Sequence, residues 1–246
     1  MNKPWLKIDG GSPLVAIALH AGHEVDPKVK DILALTDQQR LREEDPFTDI
    51  LARIALSCVI VRISRFQVDL NRSPEFSVYM EPSQSWGLQV WKQTPSHELL
   101  VQLHTLHHSF YREMYDFLQT IHDQFGRILL LTVHSYMRDR RPNQADIDVG
   151  TWTDPVEFRP VIDAFKASMV GARVGKKRLV IRENSLIGKP TYFEEWFSRN
   201  FPKSGYLSIE IAKELFMTED FLDVIPERLA VLRGILAQAI TALSIT

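Results

Sequence analysis

Two histidines stand where long apolar runs stop. His20 closes LVAIAL in the segment LHAGHEV, and His134 closes LLLTV in LLLTVHSY, with Ser135 beside it. A polar ring at the end of a buried run needs a partner, because burying it without one is costly. A histidine at a strand end with a carboxylate close by suits zinc. Ala21 and Gly22 let backbone approach such a site closely, and His23 and Glu24 follow at once. Further carboxylates stand in EEDPFTDIL, which carries Glu43, Glu44 and Asp45. The segment SRFQVDLNRSPE sets Arg65, Asp69, Asn71 and Arg72 after another apolar run. An arginine fork matches a carboxylate bidentately, and Asn71 can add a hydrogen bond to the same anion. In YLSIEI, Leu207, Ile209 and Ile211 alternate onto one face, so Ser208 and Glu210 share the other. If that face is covered, Glu210 is a carboxylate of raised pKa, suited to general-base work.

Each of these features has a simpler reading when taken alone. HAGH reads as a tight turn with a backbone-satisfied histidine, and His134 as a core histidine. Asp69 pairs with a neighbouring arginine, and Glu210 sits on a solvated edge strand. Asp45 caps a helix that Pro46 begins. It is the pair of strand-end histidines in one sheet that favours a shared ligand. His97, His104, His107, His108 and His122 lie on or near one helical stretch and read as a solvated or packing face. The sequence has no HExxH, P-loop, GxGxxG or GxSxG pattern.

The elements that must position these residues alternate along the chain. LVAIAL (14–19), SCVIVRIS (57–64) and RILLLTVHS (127–135) are short apolar runs, as in strands covered on both faces. KRLVIR (177–182) and YLSIEI (206–211) are further strand candidates. Helical patterns run over 45–56, 159–170 and 226–243, and over 96–126 as one long helix or two in tandem. Residues 73–95 read as an irregular insertion and 137–155, with its basic turn RDRR, as a second loop. No linker or repeat divides the chain, so a single α/β domain over residues 1–246 is expected, its sheet mixed or mostly parallel and flanked by helices. In such sheets ligands gather at the carboxyl ends of strands, where His20, His134 and the residues from Arg65 to Arg72 fall.

Composition narrows the chemistry. The 246 residues carry 29 Lys+Arg against 31 Asp+Glu, a formal charge of −2. That balance gives no general attraction to nucleic acid or to anionic lipid. The single cysteine, Cys58, allows neither an internal disulfide nor a zinc ribbon, and its apolar surroundings make it a small buried hydrophobe. Any metal site must use histidine and carboxylate. No targeting or membrane segment is read, so the expected compartment is the cytoplasm and the expected partner a small carboxylate, not nucleic acid or a membrane. The oligomeric state stays open.

In order, LHAGHEV, EEDPFTDIL, SRFQVDLNR, LLLTVHSY, DIDVGTW and YLSIEI resemble the N-formylglutamate amidohydrolase family, from about Leu14 to about Leu215. The family is similar in turn to zinc carboxypeptidases and aspartoacylases. The resemblance implies a zinc-carboxypeptidase-like α/β fold and one zinc ion on His20, His134 and a carboxylate. Asp45 matches the acidic position before the family's helix, with Glu24 and Glu44 as rivals. It further implies that Asn71, Arg72 and Arg65, with Ser135, bind the substrate, and that Glu210 is the general base. The reaction implied is hydrolysis of an N-acyl amino acid, N-formylglutamate first, to formate and glutamate. A carboxypeptidase-like or amidase-like enzyme on peptide or cell-wall fragments, and a non-catalytic binding protein of this fold, are the alternatives.

Overall fold

Apolar runs that fill both faces of a strand set the architecture. The computed structural model describes residues 3–138, 145–153, 156–186 and 188–243. In chain order come β1 (Trp5–Ile8), β2 (Leu14–Ala18), α1 (Pro27–Ile32), α2 (Asp37–Glu43), α3 (Thr48–Ala52) and β3 (Ser57–Val61). Then follow α4 (His97–Phe125), β4 (Leu129–Tyr136), β5 (Ile147–Gly150), α5 (Arg159–Ser168), β6 (Arg173–Val174) and β7 (Lys177–Arg178). The chain continues with β8 (Ile181–Glu183), α6 (Tyr192–Asn200), β9 (Gly205–Ala212) and α7 (Pro226–Thr241). Seven strands make one sheet in the order β1-β3-β2-β4-β9-β5-β8. Its centre, β3, β2, β4 and β9, is parallel, while β1 and β5 pair antiparallel with β3 and β9. This is the expected single α/β domain with a mixed, mostly parallel sheet.

Every residue of β2 and β3 is buried, as interior parallel strands require. Alternate side chains feed two cores. On one face Ala16, Leu131, Val133 and Leu207 pack with Leu51 of α3, Phe165 of α5 and Leu232 and Leu236 of α7. On the other, Val15, Ile17, Val59 and Leu130 pack with Phe110, Met114 and Leu118 of α4 and Phe193 and Phe197 of α6. Each large apolar side chain so covered contributes about 1.5–3 kcal/mol. Cys58 lies in the first core, 2% exposed. The 96–126 stretch forms one helix: the Ser96 side chain accepts from Leu99 N, and Gly126, at φ 77°, ends it.

Some expectations change. KRLVIR does not form one strand. Lys177–Arg178 belongs to a separate hairpin with β6, and only Ile181–Glu183 joins the main sheet. The loop expected over 137–155 contains β5, whose short charged sequence hides its Ile147/Val149 alternation. Residues 139–144 of that stretch, including most of RDRR, lie outside the described residues. Asp45 does not cap a helix starting at Pro46. The chain passes through a left-handed Phe47 (φ 67°) before α3 begins, and it is the Asp45 carbonyl that accepts from Thr48 N at 3.3 Å and Thr48 Oγ1 at 2.6 Å. Glu210 is not on an edge, because β9 runs between β4 and β5. The 73–95 insertion is irregular, as expected, yet it has a core of its own: Val78, Tyr79, Val90 and Trp91 pack with Phe66, Val29 and Leu103.

Candidate active site

Three parallel strands deliver the central side chains. His20 follows β2, His134 lies late in β4, and register sets Glu210 of β9 directly beside His134. Asp45 arrives from the turn after α2, tied back by its own N–H to the His20 carbonyl at 2.9 Å. His20, Asp45 and His134 are all buried, and their ligand atoms fall within 4.8 Å of one another. Asp45 Oδ2 lies 3.5 Å from His20 Nδ1 and 3.0 Å from His134 Nδ1. Ser135 Oγ donates to Asp45 Oδ1 at 3.3 Å. Burial opposes ionisation of Asp45, but the imidazoles of His134 and His20 beside it outweigh it and hold the carboxyl far below its usual range.

Asp69 is the hub behind His20. Its Oδ1 accepts from His20 Nε2 at 2.8 Å and from Asn71 N at 2.9 Å. Its Oδ2 accepts from Arg65 Nη2 at 2.8 Å and from the Tyr79 hydroxyl. Burial raises the Asp69 pKa, yet Arg65 and His20 together keep it well below normal. With Nε2 committed to a carboxylate, His20 Nδ1 is left without a hydrogen-bond partner, although it is fully buried. A buried polar atom in that state costs free energy. A cation shared with Asp45 and His134 removes that cost, and a carboxylate behind a metal-binding histidine is the usual way to fix its tautomer. The donor set of two imidazoles and one carboxylate fits zinc.

The same cavity, about 340 Å³, reaches to either side of this trio. On the β3 side it meets Arg65, Asn71, Arg72 and Trp86; on the β9 side, Glu210, Lys213, Tyr136 and Met137. Arg72 stacks over the Tyr79 ring at 4.6 Å and lies 3.7 Å from Asp69 Oδ2. The backbone that carries this arm is held by α4, where His107 Nε2 donates to Arg72 O at 2.9 Å and the Tyr111 hydroxyl to Leu70 O at 2.7 Å. Asn71 Oδ1 is buried with no partner. Burial, with negative charge on Asp45 and Asp148, raises the Glu210 pKa to about 7, against the opposing charges of His134 and Arg65. The buried Lys213 ammonium donates to the carbonyls of Arg42 and Glu44 and so clamps the turn that presents Asp45; burial lowers its pKa to about 8.

All eight residues singled out from sequence, His20, Asp45, Arg65, Asn71, Arg72, His134, Ser135 and Glu210, line this one cavity. The two rival carboxylates do not. Glu44 accepts from His23 Nδ1 at 2.5 Å and from Arg40 at 3.3 Å, and Glu24 faces a separate groove of about 520 Å³ beyond the Ala21–Val25 turn. Trp86 and Lys213 carry no local signal in the sequence, and Asp69 gives one only as an arginine partner.

The family model for N-formylglutamate amidohydrolase matches residues 12–217. The chain belongs to the N-formylglutamate amidohydrolase family. It is therefore a hydrolytic enzyme of amidohydrolase type. An N-formylglutamate amidohydrolase from Ralstonia eutropha has the same fold, with a TM-score of 0.74 and 16% identity over 98% of this chain and 96% of that one. A gene product of Agrobacterium tumefaciens gives 0.66 and 17% over the same shares, 98% and 96%. No curated protein matches the chain significantly. The match spans every element that brings a side chain to this cavity, from β2 to β9.

Proposed function

We propose that this amidohydrolase cleaves the amide of an N-acyl amino acid, N-formylglutamate first, with one zinc ion held by His20, Asp45 and His134. The observation that carries the reading is the buried His20 Nδ1, without a hydrogen-bond partner and facing Asp45 and His134, with its other nitrogen fixed by Asp69. Zinc at such a site lowers the pKa of a water and polarises the acyl carbonyl. Glu210, at the same level of the sheet as His134, takes a proton from the attacking water and returns it to the leaving nitrogen. Its raised pKa suits both halves of that transfer. Arg72 and Asn71 hold the carboxylate of the amino-acid half, and Arg65, fixed by Asp69 and Tyr79, lies beside them. Ser135 lines the cavity and steadies Asp45. Holding both ends of the substrate keeps the scissile bond within reach of Glu210.

The substrate in this reading is a small carboxylate, recognised by local arginines despite a net charge of −2. Among the described residues no helix is long and apolar enough to cross a membrane. A cytoplasmic setting is part of the proposal. Protein purified without chelator should contain about one zinc per chain. Removing it should abolish hydrolysis of N-formylglutamate, zinc should restore it, and Glu210→Gln should lower kcat by at least ~100-fold. Metal-free protein of full activity, or an active Glu210→Gln variant, would overturn the mechanism.

A further inference from the structure

Trp86 stands apart from the rest of the cavity wall. It is a large aromatic residue at 44% exposure, in a chain that hides most of its rings. Its backbone is left-handed, φ 56°, and Gly87 after it is left-handed too, φ 87°. A non-glycine residue in that region is sterically disfavoured, and such strain collects at ligand clamps. What the strained turn achieves is specific. It brings the indole face to 4.9 Å from the Arg65 guanidinium and sets the ring in a T-shaped contact with Tyr79, ring centroids 6.4 Å apart. Trp86 thereby forms the solvent-facing wall of the arm that also holds Asn71 and Arg72.

The chemistry of that arm is uneven. Asn71, Arg65 and Arg72 answer a carboxylate. Trp86 offers an apolar plane next to them, suited to methylene groups. An amino-acid half-substrate has both: a carboxylate, and carbons that must lie close to it. The indole also covers Arg65, screening it from water, which strengthens its hold on an anion.

We propose that Trp86 is a substrate-binding residue that selects N-acyl amino acids by side-chain length, packing its indole against the aliphatic carbons while Arg72 and Asn71 hold the carboxylate. This rests on the amidohydrolase reading and extends it to a substrate class: amino acids with at least two side-chain methylenes are preferred to glycine or alanine. A methylene placed against an apolar wall is worth ~10-fold or more in discrimination.

The test compares N-formylglycine, N-formylnorvaline and N-formylglutamate as substrates of the wild type, Trp86→Ala and Trp86→Phe. Both replacements keep a Cβ, so neither relieves the left-handed backbone and the ring alone is varied. In the wild type kcat/KM should rise with side-chain length. Trp86→Ala should flatten that rise, raising KM for N-formylglutamate ~10–100-fold with kcat within ~3-fold, and Trp86→Phe should restore most of it. If Trp86 only braced Arg65, its loss would weaken all three substrates equally, and that result would overturn the proposal. So would an unchanged KM. Calorimetric binding of the same three compounds to Glu210→Gln, with and without Trp86→Ala, separates this proposal from the catalytic reading. Binding that depends on Trp86 and on side-chain length, in a protein whose wild type hydrolyses none of them, would sink the hydrolase and leave the selector standing. Binding indifferent to Trp86, or no binding at all, would end it.

Discussion

His20 has two ring nitrogens with separate tasks. Nε2 donates to Asp69, and Nδ1 faces Asp45 and His134. Asp69 therefore decides which nitrogen is free, and it also ties His20 to the arginine arm through Arg65. Asp69→Asn should cost ~10–100-fold in zinc affinity, measured by chelator competition on protein shown to be folded by circular dichroism. An unchanged affinity would reduce Asp69 to a packing role. His20 and His134 were legible because each ends an apolar run, where an imidazole has no ordinary reason to be. Asp69 was legible only as an arginine partner, since nothing in SRFQVDLNR signals a histidine 49 residues earlier in the chain. Asp45 carried a misleading sign. Asp-Pro before an apolar stretch is a standard helix start, and the left-handed Phe47 that diverts the chain has no sequence mark.

The turn Ala21–His23 joins β2 to the rest of the site and runs hard against the exit of β3. Glu24 N donates to Arg62 O at 2.9 Å, and Ser64 N to Glu24 O at 2.8 Å. A Cβ on Gly22 would lie 2.2 Å from the Arg62 carbonyl carbon and 2.5 Å from Ile63 O. Both are backbone atoms, so neither can swing aside. Gly22→Ala should destabilise the fold by roughly 1–3 kcal/mol in denaturant unfolding and displace His20 enough to lower activity. A variant with the wild-type midpoint and full activity would show that the turn has slack. The strong strands β2, β3, β4 and β9 were readable because burial on both faces demands continuous apolar runs. The weaker ones were not. β5 and β8 depend on pairing with β9 and with each other, a long-range condition that four-residue and three-residue stretches do not display.

Besides Glu210, a second buried carboxyl ties the stability of the domain to pH. Glu194, 2% exposed, completes the capping box of α6 with Thr191. Burial raises its pKa to about 7 and the charge of Glu195 adds to this, while hydrogen bonds from Thr191, Thr153 and Trp152 oppose it. The native state then holds a proton that the unfolded chain has already released, so Glu194 lowers stability as pH rises from about 4.5 to about 7, with no further change above that. Glu194→Gln keeps an acceptor for the cap and removes the titration. It should exceed the wild type by about 2–3 kcal/mol at pH 8 and by much less at pH 5, read from urea unfolding. An equal gap at both pH values would contradict a neutral buried carboxyl. The small core beneath residues 73–95 has a different consequence. His20 and His134 rest on the sheet, but the wall proposed to meet the amino-acid half rests on this separate cluster and on α4. In the proposed reading selectivity and catalysis are thus mounted on different foundations, joined where Tyr79 donates to Asp69. Exchanging the stretch around Trp86 while keeping Tyr79 should therefore change which amino acids are admitted and leave the hydrolytic machinery as it stands.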